Sequence, residues 1–308
     1  MRLTDVGLRD GLQGLPGVLP LSLKLACIGH LVAAGVTRLE VTAFVHPRRV
    51  PAMADAEALA ARLPRREGVR YVGLALNDRG LDRCLAAGLD EVHLVSYVSA
   101  PFAERNAGTT PAASLAECAR LARRARGAGL RVQGSVTTAF GCRYAGPVLA
   151  EAVLEHVGAL LDAGVDVVGL ADSTGMGHPR QVRDLAGAAL ERCGTTPLSL
   201  HLHDTESAGY ANLLAGAAAG VREFDAAFGG LGGCPFIAGA AGNVATEDAA
   251  HLLAREGYPT GVDVARVSRA SHALAAHLGR ALPGAVYRLH APASGGGDGD
   301  DDEPGLAA

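Results

Sequence analysis

The chain has 308 residues, of which 49% are hydrophobic and 19% charged; that is enough apolar material for a substantial core and too little net charge for disorder. The formal charge of -4 comes partly from an acidic run over residues 298–303, so the remainder is nearly neutral, carries no basic stripe and argues against a nucleic-acid partner. No apolar run approaches the roughly 20 residues a membrane span needs, no charged leader precedes the first structured segment, and six widely spaced cysteines form no CxxC pair, so a cytoplasmic protein with no membrane partner is expected.

In chain order, LTDVGL reads as a first strand. One signal then recurs: an Ala/Leu-rich amphipathic helix that ends in Ala-Gly and is followed by a β-branched run. It occurs at Ala34-Gly35 before RLEVTAF, Ala87-Gly88 before EVHLVSY, Ala128-Gly129 before RVQGSV, Ala163-Gly164 before DVVGLAD and Ala219-Gly220 before REFDAAF. Glycine just past the last helical turn takes the left-handed conformation at no Cβ cost, so each copy marks a helix stop that feeds a strand. With RYVGLAL and LSLHLH added, the predicted strands cover about residues 3–8, 38–43, 69–76, 91–97, 131–138, 166–171, 198–203 and 223–228. Helices over 247–255 and 262–282 follow, and the Gly/Asp-rich stretch from 294 has too little apolar area to order itself. Residues 1–291 are therefore expected to form the folded domain and 292–308 a disordered acidic tail.

Strands that alternate with helices imply parallel βαβ units, and eight of them suggest closure into a (β/α)8 TIM barrel with C-terminal helices. An open doubly wound sheet is the competitor. The absence of a GxGxxG turn after the first strand, together with polar residues at strand C-terminal ends throughout, favours the barrel.

Four strand ends carry the chemistry. The first strand is expected to end in Arg9-Asp10, the second carries Glu40, the seventh carries His201-Leu202-His203-Asp204, and the segment after the eighth holds a Gly-rich loop with Cys234 and then Asn243. Residues i and i+2 of a strand share a side, so both histidines can face inward, and barrel closure brings Asp10 and Asn243 toward the same point. Two imidazoles, a carboxylate and an amide oxygen suit a divalent ion such as Mg2+ or Mn2+ with open positions. A lone HxH is more often a pair of satisfied core histidines; Asp10 and Asn243 at compatible strand ends reverse that balance. Cys234 is flanked by glycines that expose a thiol, although a single Cys in such a loop is usually inert. Arg9 reads equally well as a surface charge or as a partner of Glu40, and Asp172 in ADSTGMG as a cap of the next helix or as a catalytic acid.

The stretches DVGLRDGLQ, LEVTAFVHPRRVPAMAD, TTAFGCRYAG, DSTGMG, HLHDTESAGYAN and GGLGGCPFIAGAAGNVATED resemble, in order and over about residues 2–280, the motifs of the hydroxymethylglutaryl-CoA lyase family. The resemblance implies a metal-dependent carbon–carbon lyase acting on an acyl thioester, delivered by CoA or a carrier protein, with a homodimer expected. It implies that Asp10, His201, His203 and Asn243 are metal ligands, Arg9 the residue that polarises substrate, Cys234 a loop acid, Glu40 a further active-site carboxylate, and Asp10 or His201 the base. A synthase of the same superfamily is the first alternative, and Leu12 stands where those enzymes carry Glu. A non-catalytic barrel that keeps its metal is the second, and it would not require Arg9 or Cys234.

The chain also departs from the family. Gly14-Leu15-Pro16 replaces a polar and charged stretch, Ser135 stands where an aromatic Tyr is usual, and Ala43 and His46 stand where Ser is common. A retained centre with an altered rim predicts the same chemistry on a different acyl group, bulkier or less charged than the glutaryl one.

Overall fold

The computed structural model describes residues 1–233 and 242–291. Cys234 and the expected tail lie outside the described residues. Eight strands, β1 Arg2–Asp5, β2 Arg38–Ala43, β3 Arg70–Leu74, β4 Glu91–Tyr97, β5 Arg131–Thr137, β6 Val167–Asp172, β7 Leu198–Leu202 and β8 Glu223–Ala226, close in sequence order into a parallel barrel. Closure runs through β1 and β8, with Arg2 opposite Glu223 and Asp5 opposite Ala226. Around it lie α1 Leu21–Ala33, α2 Ala56–Ala60, α3 Asp78–Ala86, α4 Ala100–Ala107, α5 Pro111–Gly127, α6 Ala150–Asp162, α7 Pro179–Cys193 and α8 Gly209–Ala219; α9 Thr246–Arg255, α10 Val264–Leu278 and a short 3-10 turn, Val286–Leu289, follow. No helix among the described residues is long and apolar enough to cross a membrane.

The Ala-Gly stops behave as their chemistry demands: Gly35, Gly88, Gly129, Gly164 and Gly220 all have positive φ, from 66° to 110°. The same device shortens the last helix relative to the reading of 262–282, because Gly279 adopts φ 62° and closes α10 after Leu278. Cys27, Cys84, Cys118, Cys142 and Cys193 are free and buried, as small apolar side chains.

The sheet is buried on both faces by different residues. Leu39, Val41, Val132 and Leu200 alternate outward into the aliphatic layer beneath the helices. Arg38, Glu91, Gln133 and Thr4 instead meet inside the barrel, where branched aliphatics are the usual filling. There Arg38 pairs with Glu91 and also donates to Thr4 Oγ1 (2.9 Å) and Gln133 Oε1 (2.5 Å), so the charges are buried together with their partners.

Candidate active site and metal centre

The first strand is shorter than the 3–8 expected from the sequence. It ends at Asp5, and Gly7–Gly11 forms a π-helical turn in which the backbone N–H groups of Arg9, Asp10 and Gly11 all converge on Val6 O at 3.1, 2.8 and 3.2 Å. Arg9 and Asp10 therefore sit on a turn above the strand, a local irregularity common at functional sites. Both flanking glycines are required: a Cβ on Gly7 would lie 2.4 Å from the Phe228 ring, and one on Gly11 would lie 2.9 Å from Leu231 Cβ. Asp5 ties the turn to the end of β8, accepting from Gly7 N (2.9 Å) and Phe228 N (2.9 Å).

Arg9 is buried, and the choice between surface charge and ion pair is resolved for the pair. Its Nη1 lies 2.6 Å from Asp10 Oδ1 and its Nη2 lies 2.8 Å from Glu40 Oε2, with Glu40 contributed by β2. Burial alone would lower the pKa of Arg9, and the two carboxylates more than restore it. Burial would raise the Glu40 carboxyl, but Arg9 and His93 outweigh it and hold the acid at about 2.

His201 lies on β7 and His203 just beyond it, where His203 pairs with Asn243 in an antiparallel bridge. Backbone bonds from Val244 N to Leu202 O (3.2 Å) and from Asp204 N to Gly242 O (2.9 Å) carry the returning chain along the end of β7. Asn243 then reaches Asp10, donating from Nδ2 to Oδ2 at 2.8 Å and also to Leu231 O at 2.9 Å. The two imidazole Nε2 atoms lie 3.0 Å apart, and Asp10 Oδ2 is 3.9 Å from His201 Nε2 and 3.7 Å from His203 Nε2. Asp10, His201 and His203 thus present ligand atoms all within 4.8 Å of one another.

These residues fit a divalent cation. Two ring nitrogens 3.0 Å apart beside a carboxylate must share either a proton or a cation. Asn243 has spent its Nδ2 on Asp10 and Leu231, while its buried Oδ1 has no hydrogen-bond partner. The amide cannot be reversed without turning its oxygen onto the Asp10 carboxylate, so Oδ1 is the atom left for a cation. Burial would raise the Asp10 carboxyl, but Arg9, His203 and His201 together hold it well below the usual carboxylate range, so it remains an anionic donor.

Two further residues, Asp225 and His93, belong to this neighbourhood and were not singled out by their sequence context. Asp225 on β8 places Oδ2 3.4 Å from His201 Nδ1 and is linked to Ser199 Oγ at 3.3 Å, as the outer partner of an imidazole ligand should be. Burial would lower the pKa of His201, and Asp225 and Asp10 more than offset it. His93 on β4 lies 3.0 Å from Glu40 Oε1, and Ser135 on β5 lies 2.7 Å from the other ring nitrogen of His93. The available signal was a pair of titratable residues at i and i+2 on one face of each strand, Glu91 and His93 on β4 and Glu223 and Asp225 on β8. Asp172 caps no helix: it accepts from Met176 N (3.1 Å) and Gly177 N (3.0 Å) and braces the loop, while His178 caps α7.

Comparison with known proteins agrees with this geometry. The HMGL-like family profile matches residues 1–274. The chain is 41% identical to the (R)-citramalyl-CoA lyase of Chloroflexus aurantiacus over 92% of its own length and 93% of that protein, and 36% identical to the hydroxymethylglutaryl-CoA lyase of Pseudomonas mevalonii over 91% and 93%. Among solved structures it resembles an HMG-CoA lyase of Acinetobacter baumannii in complex with coenzyme A and 3-methylmalate, with TM-score 0.89, 34% identity, and 99% and 98% of the two chains covered. It resembles the Bacillus subtilis HMG-CoA lyase with TM-score 0.90 and 32% identity, over 94% and 97%. With a family profile over most of its length and relatives more than 30% identical across nine-tenths of it, the chain belongs to the HMGL-like family, whose relatives named here are carbon–carbon lyases.

Proposed function

We propose that the chain cleaves a short 3-hydroxy-3-methyl dicarboxylic acyl-CoA, with citramalyl-CoA preferred over 3-hydroxy-3-methylglutaryl-CoA, which is one methylene longer. The observation that carries the reaction class is the convergence of Asp10, His201, His203 and Asn243 beside the Arg9–Glu40 pair at the C-terminal mouth of the barrel. The substrate preference is supported by the 41% identity to a citramalyl-CoA lyase, and it departs from the bulkier or less charged acyl group expected from the altered rim, since the citramalyl group is one methylene shorter than the glutaryl one and carries the same charge. The CoA carrier is supported by the related structure solved with coenzyme A.

Asp10, His201, His203 and Asn243 Oδ1 would hold the divalent cation, Mg2+ or Mn2+. Such a cation supplies Lewis acidity, lowering the pKa of an alcohol and polarising a carbonyl oxygen. Asp10 takes the hydroxyl proton: its carboxylate keeps lone pairs beyond the one that would hold the cation, whereas His201 would hold the cation by Nε2 and engages Asp225 by Nδ1, so neither of its ring nitrogens is free to accept. As that proton leaves, the carbinol carbon becomes a ketone, the bond to the neighbouring methylene breaks, and the electron pair passes into the thioester enolate. Arg9, fixed by Asp10 and Glu40, stabilises the enolate oxygen. Cys234 donates the proton that completes acetyl-CoA, and the second product is the keto acid.

Purified protein with added Mg2+ or Mn2+ should release acetyl-CoA together with pyruvate from citramalyl-CoA, and less efficiently acetyl-CoA with acetoacetate from the glutaryl thioester. Absence of metal-dependent acetyl-CoA release from both would refute the reaction class, and preference for the glutaryl thioester would refute the substrate assignment.

A further inference from the structure

His93 takes no part in those chemical steps, yet both of its ring nitrogens are engaged inside the barrel. Nδ1 meets Glu40 Oε1 at 3.0 Å and Nε2 meets Ser135 Oγ at 2.7 Å. Ser135 Oγ in turn accepts from Gln133 Nε2 at 3.1 Å, and Gln133 Oε1 accepts from Arg38. The other oxygen of Glu40 accepts from Arg9. A continuous run of buried side chains therefore joins the Arg38–Glu91 pair at the barrel floor to Arg9 at its mouth.

Donor and acceptor accounting along the run has one complete solution. Gln133 donates to Ser135, Ser135 donates to His93 Nε2, and His93 donates from Nδ1 to Glu40, so each bond of the run has one donor and one acceptor and each Glu40 oxygen has one donor. A glycine is built into the arrangement: a Cβ on Gly169, on β6, would lie 2.1 Å from Ser135 Oγ. Without His93, Glu40 Oε1 would be a buried carboxylate oxygen lacking a donor. The side chain would then be free to turn both oxygens onto Arg9 and draw the guanidinium away from Asp10.

We propose that His93, in its Nδ1–H tautomer, is a positioning residue that holds Glu40, and through it Arg9, in the orientation that serves the enolate. This rests on the role given to Arg9 above. In the Mg2+-loaded wild type, 15N spectra of histidine-labelled protein should show the His93 ring protonated at Nδ1 and pyridine-like at Nε2, and Ser135→Ala should shift the Nε2 resonance. His93→Leu should lower kcat by about ten- to a hundredfold, the scale of one hydrogen bond to a charged group. KM and Mn2+ affinity should change far less than kcat, because the four cation donors stay in place and only the Arg9 contact to Asp10 is displaced. His93→Asn, whose Nδ2 replaces the ring donor to Glu40, should recover most of the loss. Unchanged kcat in His93→Leu, equal losses in the Leu and Asn variants, or an Nε2–H tautomer in the wild type would overturn the proposal. If the wild type releases no acetyl-CoA from any thioester, the reaction assignment fails, and the tautomer measurement still decides whether His93 orients Glu40.

Discussion

The floor and the mouth of this barrel are both filled with buried charge, and they differ in what is left unsatisfied. At the floor, Arg38 directs its guanidinium to Glu91, Thr4 and Gln133, and Glu91 is fully buried with its cation. At the mouth, Arg9 Nε, His203 Nδ1 and Asn243 Oδ1 are buried without hydrogen-bond partners, and two imidazole nitrogens face each other at 3.0 Å. Buried polar groups are normally paired, so the Arg38–Glu91 group, with Glu223 Oε2 nearby left unpartnered, has spent its capacity on holding the fold, while the mouth has kept several groups together for something that is not protein. The contrast separates stability from function inside one continuous polar core.

Mutation should separate the two ends in the same way. Asp10→Asn or His203→Ala should lower kcat/KM by on the order of 1,000-fold or more, since Lewis acidity is worth several kcal/mol at the transition state. Metal occupancy should fall and Tm should hold, because these donors stand on a formed rim; elemental analysis and calorimetry check both. Arg38→Met should do the reverse. It leaves Glu91 buried and uncompensated, which costs about 3–5 kcal/mol of stability, seen as a lower denaturation midpoint, while Mn2+ binding of the folded fraction persists.

A milder effect sharpens the comparison beneath the mouth. Glu247 accepts from Gly229 N and Ser271 Oγ, and burial pushes its carboxyl up to about 7 despite those bonds. An acid whose folded pKa is raised contributes stability that is fully present below its ordinary value of 4.5 and is lost as pH rises through about 7. The swing is about 3 kcal/mol. Glu247→Gln, neutral throughout, should lose much of that slope, so its Tm should improve relative to wild type as pH rises. Part of the slope should persist, since Asp5 is likewise raised by burial, to about 6. Scanning calorimetry across this range measures it. Smallest of all, Asp225→Asn removes the carboxylate behind His201 and should weaken Mn2+ binding about ten- to a hundredfold with the ligand set intact, as titration calorimetry would report.

Much of the fold was legible because its signals are local. The five Ala-Gly stops need only a left-handed glycine, and each delivered one. The first strand was read too long because apolar Val6 and Leu8 follow Asp5 in LTDVGL, whereas the turn at Gly7–Gly11 is dictated by Phe228 and Leu231, more than 200 residues away. The grouping of Asp10, His201, His203 and Asn243 could be anticipated, since strand periodicity and barrel closure both constrain it. His93 and Asp225 could not be singled out. Each shares its strand face with an acid, Glu91 or Glu223, and only the contacts made from other strands, to Glu40 and His201, distinguish them from satisfied core residues.

The central claim is that the mouth of the barrel keeps its donors for a divalent cation, and Mn2+ bound to the purified chain tests it most directly. Pulsed paramagnetic resonance should find a single Mn2+ per chain with couplings to imidazole nitrogens, weakened in His203→Ala and lost with binding in Asp10→Asn. Absence of stoichiometric Mn2+, or bound Mn2+ without nitrogen coupling, would contradict the account.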